Sequence, residues 1–328
     1  MKLLVTGGAG FMGSNFIHYW LAHHPEDCIV NLDALTYAGN LENLMGLDQA
    51  RYQFIQGNIC DAKVVHQAME GIDMVVHFAA ETHVDRSINH SLVFIMTNAV
   101  GTQTLLEEVR KRGTQIKRFH HISTDEVFGS LALNDEKKFN EQTPYDPRSP
   151  YSASKAASDH LCRSYYHTHG LPITISNSSN NYGSPYHFPE KFIPLLIIRA
   201  LHDEPLPIYG DGKHVRDWIH VEDHCRGVEA ILERGRSGET YCLGGNSERA
   251  NLEVAKTILQ TLGKPESLIQ FVEDRKGHDL RYAVDFSKAK QELGWEPRHS
   301  FEDGIKQTIE WYKSHAEWWK PLLEKAKL

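Results

Sequence analysis

The chain has no run of about 18 apolar residues, so no segment reads as a membrane-spanning helix. Cysteine is scarce: Cys28, Cys60, Cys162, Cys225 and Cys242 lie scattered through 328 residues, with no Cys-x-x-Cys among them. An odd, dispersed set argues against a disulfide framework or a zinc site and fits a reduced, cytoplasmic setting. Positive charge is in deficit. A formal net charge of -8 leaves no basic footprint for nucleic acid, and any anionic ligand must be met by cations placed locally. The opening Met1-Lys2-Leu3-Leu4-Val5-Thr6-Gly7 is too short in apolar residues for a secretory leader and enters a strand pattern at once. Histidine is plentiful, but the adjacent pairs His23-His24 and His120-His121 cannot share one helical face, so no metal site is expected.

Hydrophobic residues make up 41% and charged residues 24%, the balance of a globular chain long enough for two lobes. Short apolar runs at 3–5, 29–32, 52–55, 74–77, 118–122 and 173–175 alternate with helical patterns near 12–22, 61–70 and 91–112. That alternation predicts an α/β, Rossmann-like, doubly wound parallel sheet. Beyond about residue 180 prolines cluster and the rhythm breaks, with helices expected near 222–234, 251–262 and 300–319. The glycine turn and the polar motifs that fall within residues 1–180 lead us to expect that this lobe binds a dinucleotide and carries the catalytic groups. Residues 181–328 should form a smaller mixed α/β substrate lobe, the chain being free to cross between the two more than once.

Three motifs carry chemistry. In Thr6-Gly7-Gly8-Ala9-Gly10-Phe11-Met12-Gly13 the glycines recur every third residue between a strand and a helix, where backbone must approach a pyrophosphate closely. Asp33, 20 residues past Gly13 at the end of the second strand, suits the adenosine ribose hydroxyls and repels a 2′-phosphate, which favours NAD over NADP. Tyr151 and Lys155 stand four apart, on one face of a helix that Ser149-Pro150 would start. A cation near a phenol favours its ionised form, as a base requires. Thr124-Asp125-Glu126 follows the fifth strand at the carboxyl edge of the sheet, and two adjacent carboxylates there can divide acid and base work.

On these motifs the chain resembles the extended short-chain dehydrogenases/reductases that act on nucleotide sugars, above all their 4,6-dehydratases. Further stretches extend the likeness to nearly the whole chain. These are 32–40, 79–87, Asn180-Asn181-Tyr182-Gly183, Pro189-Glu190-Lys191-Phe192, Gly210-Asp211-Gly212, Arg216-Asp217-Trp218 and Asp274-Arg275-Lys276-Gly277-His278. The acid pair after Thr124 is the specific part, since epimerases of the superfamily usually carry small hydroxylated residues there.

The resemblance implies dTDP-glucose as substrate, dehydrated with no net redox by an NAD that stays bound. Tyr151 would take the C4 hydroxyl proton, Lys155 lower the phenol's pKa and hold the nicotinamide ribose, Glu126 remove the C5 proton, Asp125 protonate the departing C6 hydroxyl, and Thr124 hold the C4 oxygen. Together with Tyr151 and Lys155, it places NAD against Gly7, Gly10, Phe11, Met12, Gly13, Asp33, Ala34, Leu35, Thr36, Asn58, Ile59, Ala79, Ala80, Thr97 and Asn181. The nucleotide sugar would meet Thr82, Thr124, Asn180, Lys191, Phe192, Pro207, Ile208, Tyr209, Arg216, Asn251, Asp274, Arg275 and His278. Arg216 and Arg275 suit the phosphate end; for Arg275 a plain surface ion pair stays open.

His83 and Asp85 read as loop-fixing hydrogen-bonders and Trp218 as packing. A homodimer through helices near 91–112 and 151–169 is implied as well. Four positions depart from the family pattern: Asn58 for a usual aspartate, an inserted Ser184, Lys276 for proline and Leu280 for arginine. A dehydratase or epimerase of UDP- or GDP-sugars remains the alternative.

Overall fold

Alternating apolar and amphipathic segments become strands and covering helices in order along the chain. The computed structural model describes residues 1–326. Strand β1 (Lys2–Thr6) leads through the glycine turn into α1 (Phe11–His23), then β2 (Cys28–Asp33), β3 (Tyr52–Gln56), α2 (Ala62–Ala68) and β4 (Met74–His77). Helices α3 (Val84–Asn89), α4 (Ser91–Phe94) and α5 (Thr102–Arg112) precede β5 (Arg118–Thr124), α6 (Pro150–His169), β6 (Ile173–Ser178) and β7 (Asn180–Tyr182). Next come α7 (Phe192–Leu201), β8 (Leu206–Tyr209), β9 (Val215–His220), α8 (Val221–Arg234), β10 (Thr240–Leu243) and β11 (Glu248–Ala250). The chain closes with α9 (Asn251–Leu262), β12 (Ile269–Val272), α10 (Ser287–Leu293), α11 (Phe301–Ser314) and α12 (Ala316–Ala326).

Seven strands pair in the order β10-β6-β5-β4-β1-β2-β3, every pair parallel. Such a sheet is buried on both faces, which is why its strands read as continuous apolar runs. Leu4, Val30, Val75, Phe119 and Ile173 pack with Val65, Leu105, Leu106 and Val109 on one side. Leu3, Val5, Ile29 and Val76 pack with Phe16, Ile17, Trp20 and Val228 on the other. Val228 belongs to α8, and β10 forms the sheet's edge, so residues 221–243 return to the first lobe. A mixed sheet β11-β9-β7 and a parallel pair β12-β8 build the second lobe. Its core gathers Ile197, Ile208, Ile258, Ile305 and Tyr312.

Two helices differ from their sequence reading. The single helix expected over 300–319 breaks at His315, whose ring Nδ1 lies 3.0 Å from the Trp311 carbonyl, while Ser314 Oγ bonds back to Glu310 O. Side chains that claim carbonyls of the last turn compete with its continuation. Between α4 and α5 the backbone widens into π-helical turns over Ile95–Gly101. The extra residue per turn aims Asn98 inward, where its amide donates to Ser154 Oγ at 2.8 Å and Glu81 O at 3.0 Å.

Candidate active site

Strands β1 to β6 of the large sheet point their carboxyl ends at one cleft of about 570 Å3, walled on the far side by the second lobe. It is lined by the glycine turn, Asp33, Thr124 to Glu126, Tyr151, Lys155, Lys191, Arg216 and Arg275. The chemistry-bearing motifs, dispersed in sequence, thus meet in one place.

At the β1–α1 turn, a Cβ on Gly7 would lie 2.6 Å from the Ala79 nitrogen and one on Gly13 2.4 Å from the Gly7 oxygen. Side chains there are excluded by backbone. Gly10 faces open space, its nearest neighbour 3.4 Å from a built Cβ, so a chain of phosphates can run against the start of α1. Asp33 accepts from the Ala9 N–H at 2.9 Å and the Leu35 N–H at 2.8 Å. A carboxylate has about four acceptor positions, and two remain for ribose hydroxyls. These residues fit NAD. Phe11, Met12, Ala34, Thr36, Asn58, Ile59, Ala79, Ala80, Thr97 and Asn181 share the cleft.

Leu35 is the exception. It adopts φ 52° and turns its side chain against the core around Phe16, lending the site only its N–H. Asn58 differs in another way. Its Oδ1 already accepts from the Cys60 N–H at 2.8 Å, which leaves the amide's donors toward the cleft. An adenine held past Asp33 on the β3 side would meet Asn58 there, an amide and not a carboxylate. We expect Asn58→Asp to slow the loss of NAD on dialysis about tenfold, the worth of a charge-assisted hydrogen bond; an unchanged rate would place the amine elsewhere.

Ser149 caps α6, accepting from the Ser152 N–H at 3.0 Å, with Pro150 in the first turn. That start fixes Tyr151 at the cleft and Lys155 one turn behind it, both buried. Lys155 donates to Ile122 O at 2.8 Å and lies 3.3 Å from His121 Nε2. Burial, then Glu126, hold the Tyr151 phenol well above its ordinary value, with the Thr124 hydroxyl pulling the other way. After β5 the chain turns in a short 3-10 segment, Asp125–Phe128, with Thr124 Oγ1 accepting from the Glu126 N–H at 3.3 Å. Asp125 accepts from Thr124 Oγ1 at 3.3 Å on one oxygen and has no partner on the other. Burial raises both carboxyls. Asp125 rises well above the carboxylate range, pushed further by Glu126 and Asp217, while Arg216 pulls both back and, for Glu126, ranks next after burial.

At the far end Lys191 Nζ donates to Thr82 Oγ1 at 3.1 Å. Arg216 lies over the Tyr282 ring at 4.1 Å and donates to the Val215 and Asp279 carbonyls. Arg275 Nη2 donates to Asp85 Oδ2 at 2.9 Å and its Nε lies 2.6 Å from Oδ1, so the ion pair left open for it forms, across the cleft mouth. His83 accepts from the Arg86 N–H and sits 3.3 Å from Glu190. Asn180, Phe192, Asn251, His278, Pro207 and Tyr209 also line the cleft.

Two expected substrate contacts do not line it. Alternation along β8 turns Ile208 away from the cleft side taken by Pro207 and Tyr209 and into the core. Asp274 instead holds its neighbours, 2.7 Å from His278 Nδ1 and 3.3 Å from His214 Nε2. Trp218 both packs and reaches the cleft. His187, Phe188, Asp279 and Tyr282 line the cleft with no sequence signal of their own; Phe11 stacks on His187 at 4.2 Å, a pairing 176 residues apart that spacing cannot reveal.

The strand order, the glycine turn with Asp33, and Tyr151 with Lys155 on α6 define an extended short-chain dehydrogenase/reductase. The family described as GDP-mannose 4,6 dehydratase matches residues 4–308. A dTDP-glucose 4,6-dehydratase of Xanthomonas campestris is 53% identical over 98% of this chain and 95% of its own. One from Escherichia coli is 49% identical over 99% and 97%. A dTDP-glucose 4,6-dehydratase of Streptomyces venezuelae, solved with NAD bound, superposes with a TM-score of 0.94 at 48% identity, covering 98% of this chain and 100% of that one. The chain belongs to this family of nucleotide-sugar 4,6-dehydratases.

Proposed function

We propose that the protein converts dTDP-glucose to dTDP-4-keto-6-deoxyglucose and water. The observation that carries this is the carboxyl pair beside Tyr151, Asp125 buried and Glu126 half-buried, which an epimerase does not need. Bound NAD supplies the acceptor for hydride from C4 and the donor that returns it to C6. The remaining work falls to side chains. Tyr151 takes the C4 hydroxyl proton, and Thr124 holds that oxygen in place. A ketone at C4 acidifies the C5 proton, which Glu126 removes. Asp125, kept protonated by burial, gives its proton to the C6 hydroxyl so that it leaves as water. Arg216 and Lys191 offer charge to the diphosphate end. In this reading residues 1–180, joined by 221–243, hold NAD and the catalytic groups. Most of the remainder up to 328 holds the nucleotide sugar, the last two residues lying outside those described.

The test is one incubation with dTDP-glucose in heavy water, without added NAD, followed by mass spectrometry of the sugar nucleotide. Loss of one water with one deuterium gained at C5 is expected. An unchanged mass, with the protein folded and NAD-loaded, would sink the assignment and turn attention to UDP- and GDP-sugars.

The reading extends to a cytoplasmic homodimer. All five cysteines are free thiols, as a reducing compartment requires. No helix among the described residues is long and apolar enough to cross a membrane. Leu92, at 72% exposure, leads an apolar stripe with Val93, Ile95, Met96 and Val100, which a second copy would cover. Leu92→Asp should therefore sediment as a monomer where the parent sediments as a dimer; equal sedimentation of the two would remove this face from the interface.

A further inference from the structure

Behind the catalytic residues lies a polar network that the proposed reaction does not itself consume. Asp159, on α6 one turn beyond Lys155, is fully buried. Its Oδ2 accepts from Tyr145 OH at 2.7 Å, Ser123 Oγ at 2.9 Å and Asn177 Nδ2 at 3.2 Å. Its Oδ1 lies 3.2 Å from His121 Nε2. Three donors on Oδ2 stabilise a carboxylate without water. Burial alone would raise Asp159, yet the His121 contact and its charged surroundings bring it below the ordinary value. The same His121 nitrogen lies 3.3 Å from Lys155 Nζ; a neutral ring nitrogen serves one of the two at a time, but it sets carboxylate and ammonium within one atom's reach of each other.

The ammonium is surrounded by groups that burial leaves uncharged. His77 on β4 and His121 on β5 are both lowered, His121 to about 4. Tyr151 and Cys162, on its own helix, are both raised. Asp125 and Glu126 follow β5 on the cleft side, and Arg163 is engaged by Tyr145 OH at 2.8 Å. Asp159 is the carboxylate that supports the lysine's charge. Even so, burial takes Lys155 down to about 8.

We propose that Asp159 is a positioning residue that supplies, from one turn further along α6, the counter-charge holding the Lys155 ammonium protonated at the cleft. The proposal rests on the reading of Tyr151 and Lys155 as the pair that works at C4, but its test needs no sugar. Lys155 is titrated directly in protein labelled at the lysine ε-carbon, its resonance assigned by its loss in Lys155→Met. The midpoint should fall by about 1 pH unit in Asp159→Asn, which keeps the volume and loses the charge, and hold in Asp159→Glu. Tyr145→Phe is the second arm and keeps the ring contacts. It removes one donor from Asp159 and leaves more of the carboxylate's charge to act on the lysine, so the midpoint should rise. A merely structural role would move neither midpoint. A wild-type midpoint in Asp159→Asn, or a fall in Tyr145→Phe, overturns the proposal whichever sugar the enzyme accepts.

Discussion

Replacing Asp125 by asparagine should leave C4 oxidation and C5 exchange running while water loss nearly stops, lowering turnover by about 10²–10⁴-fold, the usual worth of a positioned acid. The two neighbouring carboxyls are not equivalent. Asp125 is 1% exposed, one of its oxygens has no partner, and Glu126 and Asp217 push it further above its ordinary range. A group held protonated is an acid in waiting. Glu126 is raised by burial too, but less, because the Arg216 guanidinium, which acts on both carboxyls, is for Glu126 the influence next after burial and favours the ionised form a base requires. Like charges side by side drive such values apart.

The sign of the pH dependence follows. Activity is lost as pH falls through the raised Glu126 value, because the base is then protonated. It is lost again as pH rises through the higher Asp125 value, because the acid is then spent. Asparagine keeps the volume of the buried site and removes only the proton. In heavy water the variant should return substrate carrying deuterium at C5 with its C6 hydroxyl intact. Dehydration at the parent rate would remove Asp125 from the acid role; absence of C5 exchange would place it earlier in the sequence.

Much of this site was legible because the Rossmann architecture ties chemistry to local signals. The glycines, Asp33 and the Tyr151–Lys155 spacing each sit within one turn or one strand end. Where the sequence reading fell short, the deciding contacts are long-range. Ile208 shares its strand with two cleft residues, and only the β8–β12 pairing shows which face it takes. Leu35 lies inside a binding stretch, but a left-handed backbone turns it to the core. The break at His315 depends on a side-chain competition that helical periodicity does not register. Residues 221–243 return to the first lobe because the apolar face of α8 fits the sheet surface beside α1, a match no local pattern announces. The assignment of Asp125 as acid and Glu126 as base likewise needs Asp217 and Arg216, which stand about 90 residues along the chain and reach the pair only through the fold.

The second large effect is expected at Tyr151, and it should arrest the enzyme at a different point. Tyr151→Phe should slow C4 oxidation by about 10³-fold, within the range for removing a positioned general base. The phenol is buried, and Glu126 adds to the cost of ionising it. Its proton can therefore leave only when opposite charge is near, and the positive nicotinamide ring and the Lys155 ammonium are the cations the cleft can bring. Turnover should accordingly rise with pH through the phenol's effective value in the loaded enzyme. Phenylalanine preserves the packing, since the ring keeps its edge-to-face contact with Phe94 at 6.4 Å and loses only the hydroxyl. NAD retention and thermal stability should stay near those of the parent. Because oxidation at C4 is what acidifies C5, the variant should show neither C5 exchange nor water loss, and no build-up of reduced cofactor. Asp125→Asn should show exchange and reduced cofactor without water loss. If both variants stop with the same species, one chemical step has been wrongly divided between them. If Tyr151→Phe still exchanges C5, the C4 proton leaves to another group, and Thr124, whose hydroxyl neighbours the phenol, becomes the residue to change next.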